Sequence, residues 1–171
     1  MDPDMVVNDR KVQTILDSCI AWYNDHEDAL ETLVRTISRE EVFSLRLIDW
    51  LTTNYSKRNR LETIYEGRPL DVHLDYRRFL AVFTKKYFDP FARRDRLQVL
   101  LEPDGKVLTT TVGQLNFMRW FLHKNVDTIL RGMQPDIERD MREYEGCRKL
   151  SKVTSAAVRL TISKGPFHLD F

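Results

Sequence analysis

The stretch that most constrains the fold is YFDPFARRDR at residues 87–96, where a helical pattern meets a proline. Four apolar residues recur at helical spacing before it: Tyr76, Phe79, Leu80 and Phe83. Pro90 has no backbone N–H and disfavours a helical conformation in the residue before it, so the helix has to end there. Phe88 and Phe91 flank the turn, and three arginines follow. The sequence therefore predicts a helix, a sharp turn and a basic segment in direct succession.

Three helices are predicted upstream: residues 8–23 with Asn8 as N-cap, residues 29–37 and residues 39–53. Each of the first two carries one apolar stripe, so we expect them to form an antiparallel hairpin. Ser38 and Glu41 have the S-x-x-E spacing of a capping box, which places the start of the third helix. Apolar residues, Trp50 among them, cover more than one face of that helix, so we predict that it is the central core helix. A polar basic linker, SKRNR, follows it.

β-structure is predicted in three places. The segment LETIYEG is rich in β-branched and aromatic residues and predicts a short strand before a Gly-Arg-Pro turn at residues 67–69. Residues 96–111 place apolar residues on both sides of Pro-Asp-Gly, which predicts a hairpin with Gly105 at a positive φ. Alternating apolar residues near the end of the chain, at positions 158–162 and 167–171, favour a terminal strand or hairpin.

Thr111 and Gln114 form a second capping-box spacing and predict a helix behind the hairpin. Asn125 then restarts a short helix to about residue 131, which Gly132 and Pro135 should break. Residues 136–152 place acids before bases, the order that the helix dipole favours, and predict an exposed helix or an arm. The predicted fold class is α+β, a mainly helical single domain with one β-hairpin and a C-terminal strand. Residues 1–134 form its body, and residues 135–171 add the exposed helix or arm and the strand.

The charge of the chain is nearly balanced in total, at +1, but unevenly distributed. Basic and acidic residues number 5 and 11 in residues 1–50, 11 and 6 in 51–96, and 11 and 9 in 97–171. This distribution predicts an acidic face and a basic centre, which suit self-association or anion binding. Two cysteines without metal or redox spacing favour a reducing compartment. We expect no membrane span and no secretion, because an apolar run of roughly 20 residues and a signal-peptide pattern are both missing.

The sequence offers little support for catalysis. The four histidines are scattered without metal-ligand spacing, and no phosphate-binding loop, dinucleotide fingerprint or nucleophile elbow is present. Two acidic pairs at i,i+4 spacing, Asp71 with Asp75 and Asp136 with Asp140, could bind Mg²⁺, although a hydrated helix face explains them more simply. We therefore expect no enzyme activity, no catalytic residues, no metal site and no cofactor.

The strongest functional signal is a basic cluster interleaved with aromatic residues. Its candidate phosphate- or partner-binding residues are Arg77, Arg78, Lys85, Lys86, Tyr87, Arg93, Arg94 and Arg96. Cations suit phosphate backbones, and Tyr87 is a candidate for stacking on an unpaired base. A second interpretation remains open, in which the cations form salt bridges with the acidic N-terminal helices or face a protein partner. Phe88 and Phe91 are expected to pack into the core.

Several segments resemble a family of short proteins encoded by large nucleocytoplasmic DNA viruses. They are SLRLIDWLTTNYSKRN, YRRFLAVFTKKYFDPFARRDR, TTVGQLNFMRWFLHKNV, IERDM and the FHLDF end, and FDPF-x-R together with TT-x-GQLNF is the distinctive pair. The chain departs from the family pattern at Ala92, where relatives place a cysteine, and in having a shorter basic stretch near residues 148–160. The resemblance implies a viral origin and work in the virion, the host cytoplasm or the virus factory, with no catalytic residues to carry over.

We expect a non-enzymatic structural or assembly protein, a virion or minor capsid component, that contacts other viral proteins or itself. The alternative is a DNA- or RNA-binding accessory protein for genome packaging or transcription.

Overall fold

The computed structural model describes residues 3–41, 43–101 and 105–162. In chain order the elements are α1 Pro3–Asn24, α2 Glu27–Ile37, α3 Leu45–Trp50, a π-helical turn Leu51–Tyr55, α4 Ser56–Asn59, β1 Glu62–Tyr65, β2 Arg68–Asp71, α5 Val72–Tyr87, β3 Leu97–Leu101, β4 Lys106–Thr110, α6 Val112–His123 and α7 Val126–Ile162. The strands pair as two antiparallel hairpins, β1 with β2 and β3 with β4. The predicted fold class, mainly helical α+β, is therefore confirmed.

Helix α6 lies at the centre of the core. Nine of its twelve residues are buried, and α1, α2, α5 and α7 pack against it. Its N-cap is Thr111, whose hydroxyl accepts a hydrogen bond from the Gln114 amide at 3.1 Å, so this predicted cap is confirmed. The predicted third helix also belongs to the core, but its predicted span is wrong: it begins at Leu45 and not at residue 39, and the helical backbone continues from α3 through the π-helical turn and α4. Leu47, Ile48 and Leu51 are buried, and α3 packs against α7, whereas α6 and not this helix lies among α1, α2, α5 and α7.

A cluster of aromatic rings joins α5 to α6. The ring of Phe88, directly after α5, lies between residues of both helices, with ring centroids 5.2 Å from Phe117 and 5.7 Å from Trp120. Within this cluster the Trp120 indole donates a hydrogen bond of 2.8 Å to the carboxylate of Asp75, and both side chains are buried. Phe88 therefore packs in the core, as predicted.

Helix α7 runs without interruption through Gly132 and Pro135, so the predicted break there is wrong. A proline inside a helix weakens mainly the turn that precedes it, because it lacks the N–H and its ring crowds that turn. Buried apolar residues before and after Pro135 hold α7 against the core. These are Val126, Leu130 and Ile137, all fully buried. The boundary drawn at residue 134 falls inside this helix. Residues 158–162 also belong to α7 and not to a strand, and residues 167–171 lie outside the described chain. No described helix has the length and apolar character that crossing a membrane requires.

Three helix starts differ from the sequence prediction. Helix α1 begins at Pro3, so Asn8 lies inside it and is not its cap. Ser38 closes α2 instead of opening a helix, and Ser44 caps α3, with its hydroxyl 3.3 Å from the amide of Leu47. The SKRNR segment predicted as a linker forms α4. The serine that caps α3 is therefore Ser44, which directly precedes the helix, and not Ser38.

One hairpin was predicted, and the described residues form two. The β3–β4 hairpin is confirmed, with Gly105 at φ +64°. The additional hairpin, β1–β2, turns at Glu66 and Gly67, which both have positive φ. Two successive positive φ values are typical of the tight turns that match strand twist. The predicted strand at residues 61–67 is therefore correct in type, whereas Pro69 belongs to β2 and not to the turn.

Candidate anion-binding surface and groove

All seven cations of the basic cluster are exposed. Four project from α5 and three from the loop before β3: Arg77, Arg78, Lys85, Lys86, Arg93, Arg94 and Arg96. Within the described residues, none of the seven forms an ion pair with a carboxylate. We call these seven side chains the basic surface.

Tyr87, the aromatic candidate from the sequence, is buried, with an exposed fraction of 6%. Its ring lies near two ammonium groups, 5.5 Å from Lys11 of α1 and 5.2 Å from Lys86. A ring in this position packs in the core and attracts cations, and it presents no open face to a base. The expectation that Tyr87 stacks on an unpaired base is corrected accordingly.

The turn after α5 is fastened to the N-terminal end of α6 by hydrogen bonds. Asn116 donates to the carbonyl of Tyr87 at 2.9 Å, and the amide of Asp89 donates to the carbonyl of Gly113 at 3.2 Å. The Gln114 side chain donates to the carbonyl of Pro90 at 3.0 Å. The two most distinctive sequence segments, FDPF-x-R and TT-x-GQLNF, are therefore one structural unit, although sixteen residues lie between them.

Gly113 permits this close approach. A Cβ atom at this position would lie 3.0 Å from the carbonyl oxygen of Lys86 and 3.1 Å from the Cβ of Ala92. Both distances are shorter than an ordinary van der Waals contact, so the turn can lie this close to α6 only because residue 113 has no side chain. The small side chain of Ala92 serves the same contact.

A groove lies between the α2–α3 connection, the loop after Pro90 and the start of α6. Its volume is about 620 Å³. We call it the arginine groove, because Arg39, Arg46, Arg93 and Arg96 line it. Arg93 and Arg96 were predicted site residues; Arg39 and Arg46 were not, since they come from the acidic part of the sequence and only the fold brings them here. Arg94 is not among the lining residues.

The charge of the groove is positive after its ion pairs are taken into account. Glu41 lines the groove but is paired with Arg35 at 3.7 Å and with Arg131 at 3.5 Å. Arg46 pairs with Glu145 of α7. In the described part of the chain, Arg39, Arg93 and Arg96 have no such partner. The N-terminal end of α6, whose first turn contains no acidic residue, also borders the groove and adds its partial positive charge.

One wall of the groove carries an exposed aromatic ring. Phe91 was expected in the core, yet 39% of it is exposed, whereas Phe88 on the other side of Pro90 is buried. The backbone amide of Phe91 donates to the carboxylate of Asp89 at 2.8 Å, and the amide of Ala92 donates to the carbonyl of Asp89 at 3.2 Å. The turn that presents the ring is therefore held by two local hydrogen bonds.

Lys85 is expected to bind an external anion more weakly than the other cations of the basic surface. Burial raises the pKa of the Asp49 carboxyl, and the neighbouring charge of Asp89 raises it further, while Lys85 opposes the shift. Lys85 is thus close enough to Asp49 to stabilise its ionised form, without a direct ion pair. Part of its charge is offset inside the protein, and it should contribute less to an external anion than Arg77 or Arg78.

Two of the four histidines that the sequence scatters both contact Trp22. The ring of His26 stacks on the indole at 4.3 Å, and that of His123 meets it edge-on at 5.7 Å. Burial is the main cause that lowers the pKa of His123, which also contacts the Tyr65 hydroxyl at 2.8 Å. No metal-ligand cluster occurs among the residues that the structure describes.

Comparison with known proteins gives a family and a biological source. No solved structure matches the chain. An uncharacterised protein, L507, of Acanthamoeba polyphaga mimivirus is 28% identical over 159 residues, which make up 87% of this chain and 61% of that protein. The chain thus spans less than two thirds of this relative, and the similarity supports a viral origin. A family model matches residues 7–164, and the chain therefore belongs to DUF7197, a family of unknown function.

Proposed function

We propose that this protein is a non-enzymatic accessory protein of a large DNA virus that binds nucleic acid through the phosphate backbone. The observation that carries the proposal is the basic surface, whose seven exposed cations have no ion-pair partner in the described chain. Lysine and arginine side chains that neutralise phosphates release condensed counterions, which drives binding without regard to base sequence. The expected setting is genome packaging or transcription in the virus factory or particle.

The ion pairs of the acidic side chains support this proposal over an internal role for the basic cluster. Glu41 pairs with Arg35 and Arg131, and Asp140 with Arg58. These carboxylates are paired with arginines outside the 77–96 segment. The cations of that segment therefore remain available to an external anion.

The proposal can be tested by fluorescence anisotropy with a labelled oligonucleotide at about 50 mM salt, a condition that favours phosphate contacts. The double variant Arg77→Ala/Arg78→Ala should bind about tenfold or more weakly, because each lost phosphate contact matters strongly at low salt. The matched control is Arg148→Ala/Lys149→Ala, which removes the same charge from an exposed part of α7. Absence of binding by the wild-type protein, or an equal loss in the control, would contradict the proposal.

The assembly role first expected from the sequence remains a second candidate, and one observation favours it. Leu100 and Val107 are cross-strand partners in the β3–β4 hairpin, and their exposed fractions are 60% and 57%. A pair of apolar side chains on one face of a two-stranded sheet suits contact with another viral protein or a second copy.

Light scattering of the wild-type protein and of Leu100→Lys/Val107→Lys at low and high salt tests this role. We expect an oligomer that the substitutions dissociate. A wild-type monomer at both salt concentrations would argue against self-association through this face.

A further inference from the structure

We propose that the arginine groove holds one unpaired nucleotide of a single strand, with Phe91 stacked on the base and Arg39, Arg93 and Arg96 at the phosphates. This inference rests on the proposed nucleic-acid binding and adds a preference for single strands over duplex. It also reassigns the stacking role from Tyr87, which is buried, to Phe91.

The shape of the groove separates it from the rest of the basic surface. A volume of about 620 Å³ lies within the usual range for sites that enclose a small ligand. A base that is paired and stacked in a duplex cannot enter such a concave site, whereas an unpaired base can be splayed into it. The cations on α5 face open solvent and do not require an unpaired base.

The lining of the groove matches the two halves of a nucleotide. The apolar part of the lining includes Ile37, Pro90 and Phe91, and the polar part includes the arginines and the threonines of residues 109–111. Stacking on an aromatic ring is indifferent to base identity, and guanidinium groups bind phosphate oxygens in a bidentate manner. A purely acidic peptide would use the arginines but would leave the exposed ring without a partner, so the lining favours a nucleotide.

The groove is formed before any ligand arrives. Gln114 holds the carbonyl of Pro90, and the hydroxyl of Thr111 lies 3.4 Å from the carbonyl of Ala92, so the backbone on both sides of Phe91 is anchored to α6. On the opposite wall Arg39 follows the C-cap of α2 with a φ of +61°, and the amide of Glu40 donates to the carbonyl of Arg35 at 2.8 Å, so this end of the helix also has a fixed conformation.

The test compares a short oligothymidylate with a duplex of equal length, both labelled, by fluorescence anisotropy. Phe91→Ala should weaken binding of the single strand by about 5- to 100-fold and leave duplex binding within about twofold, since only an unpaired base can stack. Phe91→Trp should restore the single-strand affinity. Arg39→Ala should weaken the single strand more than the duplex, whereas Arg94→Ala, which is outside the groove, should weaken both alike.

Thermal unfolding of each variant is measured first. Phe91→Leu, which keeps apolar volume without a ring, takes the place of Phe91→Ala if the latter does not fold, with the same expected selectivity.

The outcomes separate the two proposals. If the wild-type protein binds neither oligonucleotide, the proposed function fails and the groove inference fails with it. If it binds both, and Phe91→Ala changes neither or weakens both equally, only the groove inference is overturned. Competition by a polyglutamate or phosphoserine peptide as effective as that by thymidine monophosphate would also overturn it, in favour of a peptide ligand.

Discussion

Replacement of Gln114 by alanine should disturb both the fold and the candidate site. The Gln114 side chain is 8% exposed, donates to the carbonyl of Pro90 at 3.0 Å and accepts from the hydroxyl of Thr110 at 2.9 Å. Each hydrogen bond contributes about 1 kcal/mol net, and a buried polar group left without a partner costs about 1–3 kcal/mol. The hydroxyl of Thr110 can rotate toward another acceptor, so the carbonyl of Pro90 carries most of the penalty. We therefore expect a loss of roughly 2–4 kcal/mol in the free energy of unfolding.

Urea unfolding followed by circular dichroism measures this loss, and for a chain of this size it corresponds to a fall in Tm of roughly 5–15 °C. The matched control is Gln13→Ala, which removes an exposed hydrogen bond of 2.7 Å to Asp17 on α1 and should stay within about 0.5 kcal/mol of the wild type. The affinity of Gln114→Ala for single strands should fall as well, because Phe91 and Arg93 would move with the turn once Gln114 no longer holds it. A change no larger than that of the control would refute the view that Gln114 anchors this turn.

Three further predictions concern other parts of the chain. Iodoacetamide at about pH 8 should modify exposed Cys147 but not Cys19, which is buried and whose pKa burial raises from 9.0 to about 11; mass spectrometry of the folded and unfolded protein checks this. The stability that Cys19 contributes should be complete below pH 9 and decline toward pH 11, and Cys19→Ala should show a smaller decline, since burial also raises the pKa of Tyr23. Gly105→Val should lower the Tm well beyond a surface substitution, because Gly105 has φ +64°; an unchanged Tm would contradict the turn. Trp50→Ala should lower the free energy of unfolding in urea by about 2–4 kcal/mol, because half-buried Trp50 packs on Tyr144 and donates a hydrogen bond to Asp140 at 2.8 Å. A smaller loss would mean that other contacts hold α7.

Local signals predicted the parts of the fold that depend on a few neighbouring residues. Helix α5 ends at Tyr87, shortly before Pro90, Gly105 turns the second hairpin and Thr111 caps α6, because a proline, a positive φ and a hydroxyl each act within a few residues of chain. The helix break at Gly132 was predicted on the same basis and is wrong. There the burial of Leu130 and Ile137 against the core outweighs the low helix propensity of the residues between them.

The candidate site could be predicted only in part, for a related reason. The basic residues of the 77–96 segment are adjacent in sequence, so their cluster is visible without a structure. Arg39 and Arg46 join them only through the packing of the α2–α3 connection beside the turn, a contact that no spacing encodes. Phe88 and Phe91 flank Pro90 symmetrically, and which ring enters the core depends on the direction in which α6 approaches.

The salt dependence of nucleic-acid binding tests the central claim most directly. The logarithm of the association constant on duplex DNA should fall linearly with the logarithm of the salt concentration, with a slope of about −0.9 per phosphate contact. If most cations of the basic surface engage phosphates, the slope should lie between about −3 and −6, and each of Arg77→Ala and Arg78→Ala should reduce its magnitude by about one unit. A slope near zero, or one that these substitutions leave unchanged, would contradict the claim that the basic surface binds the phosphate backbone.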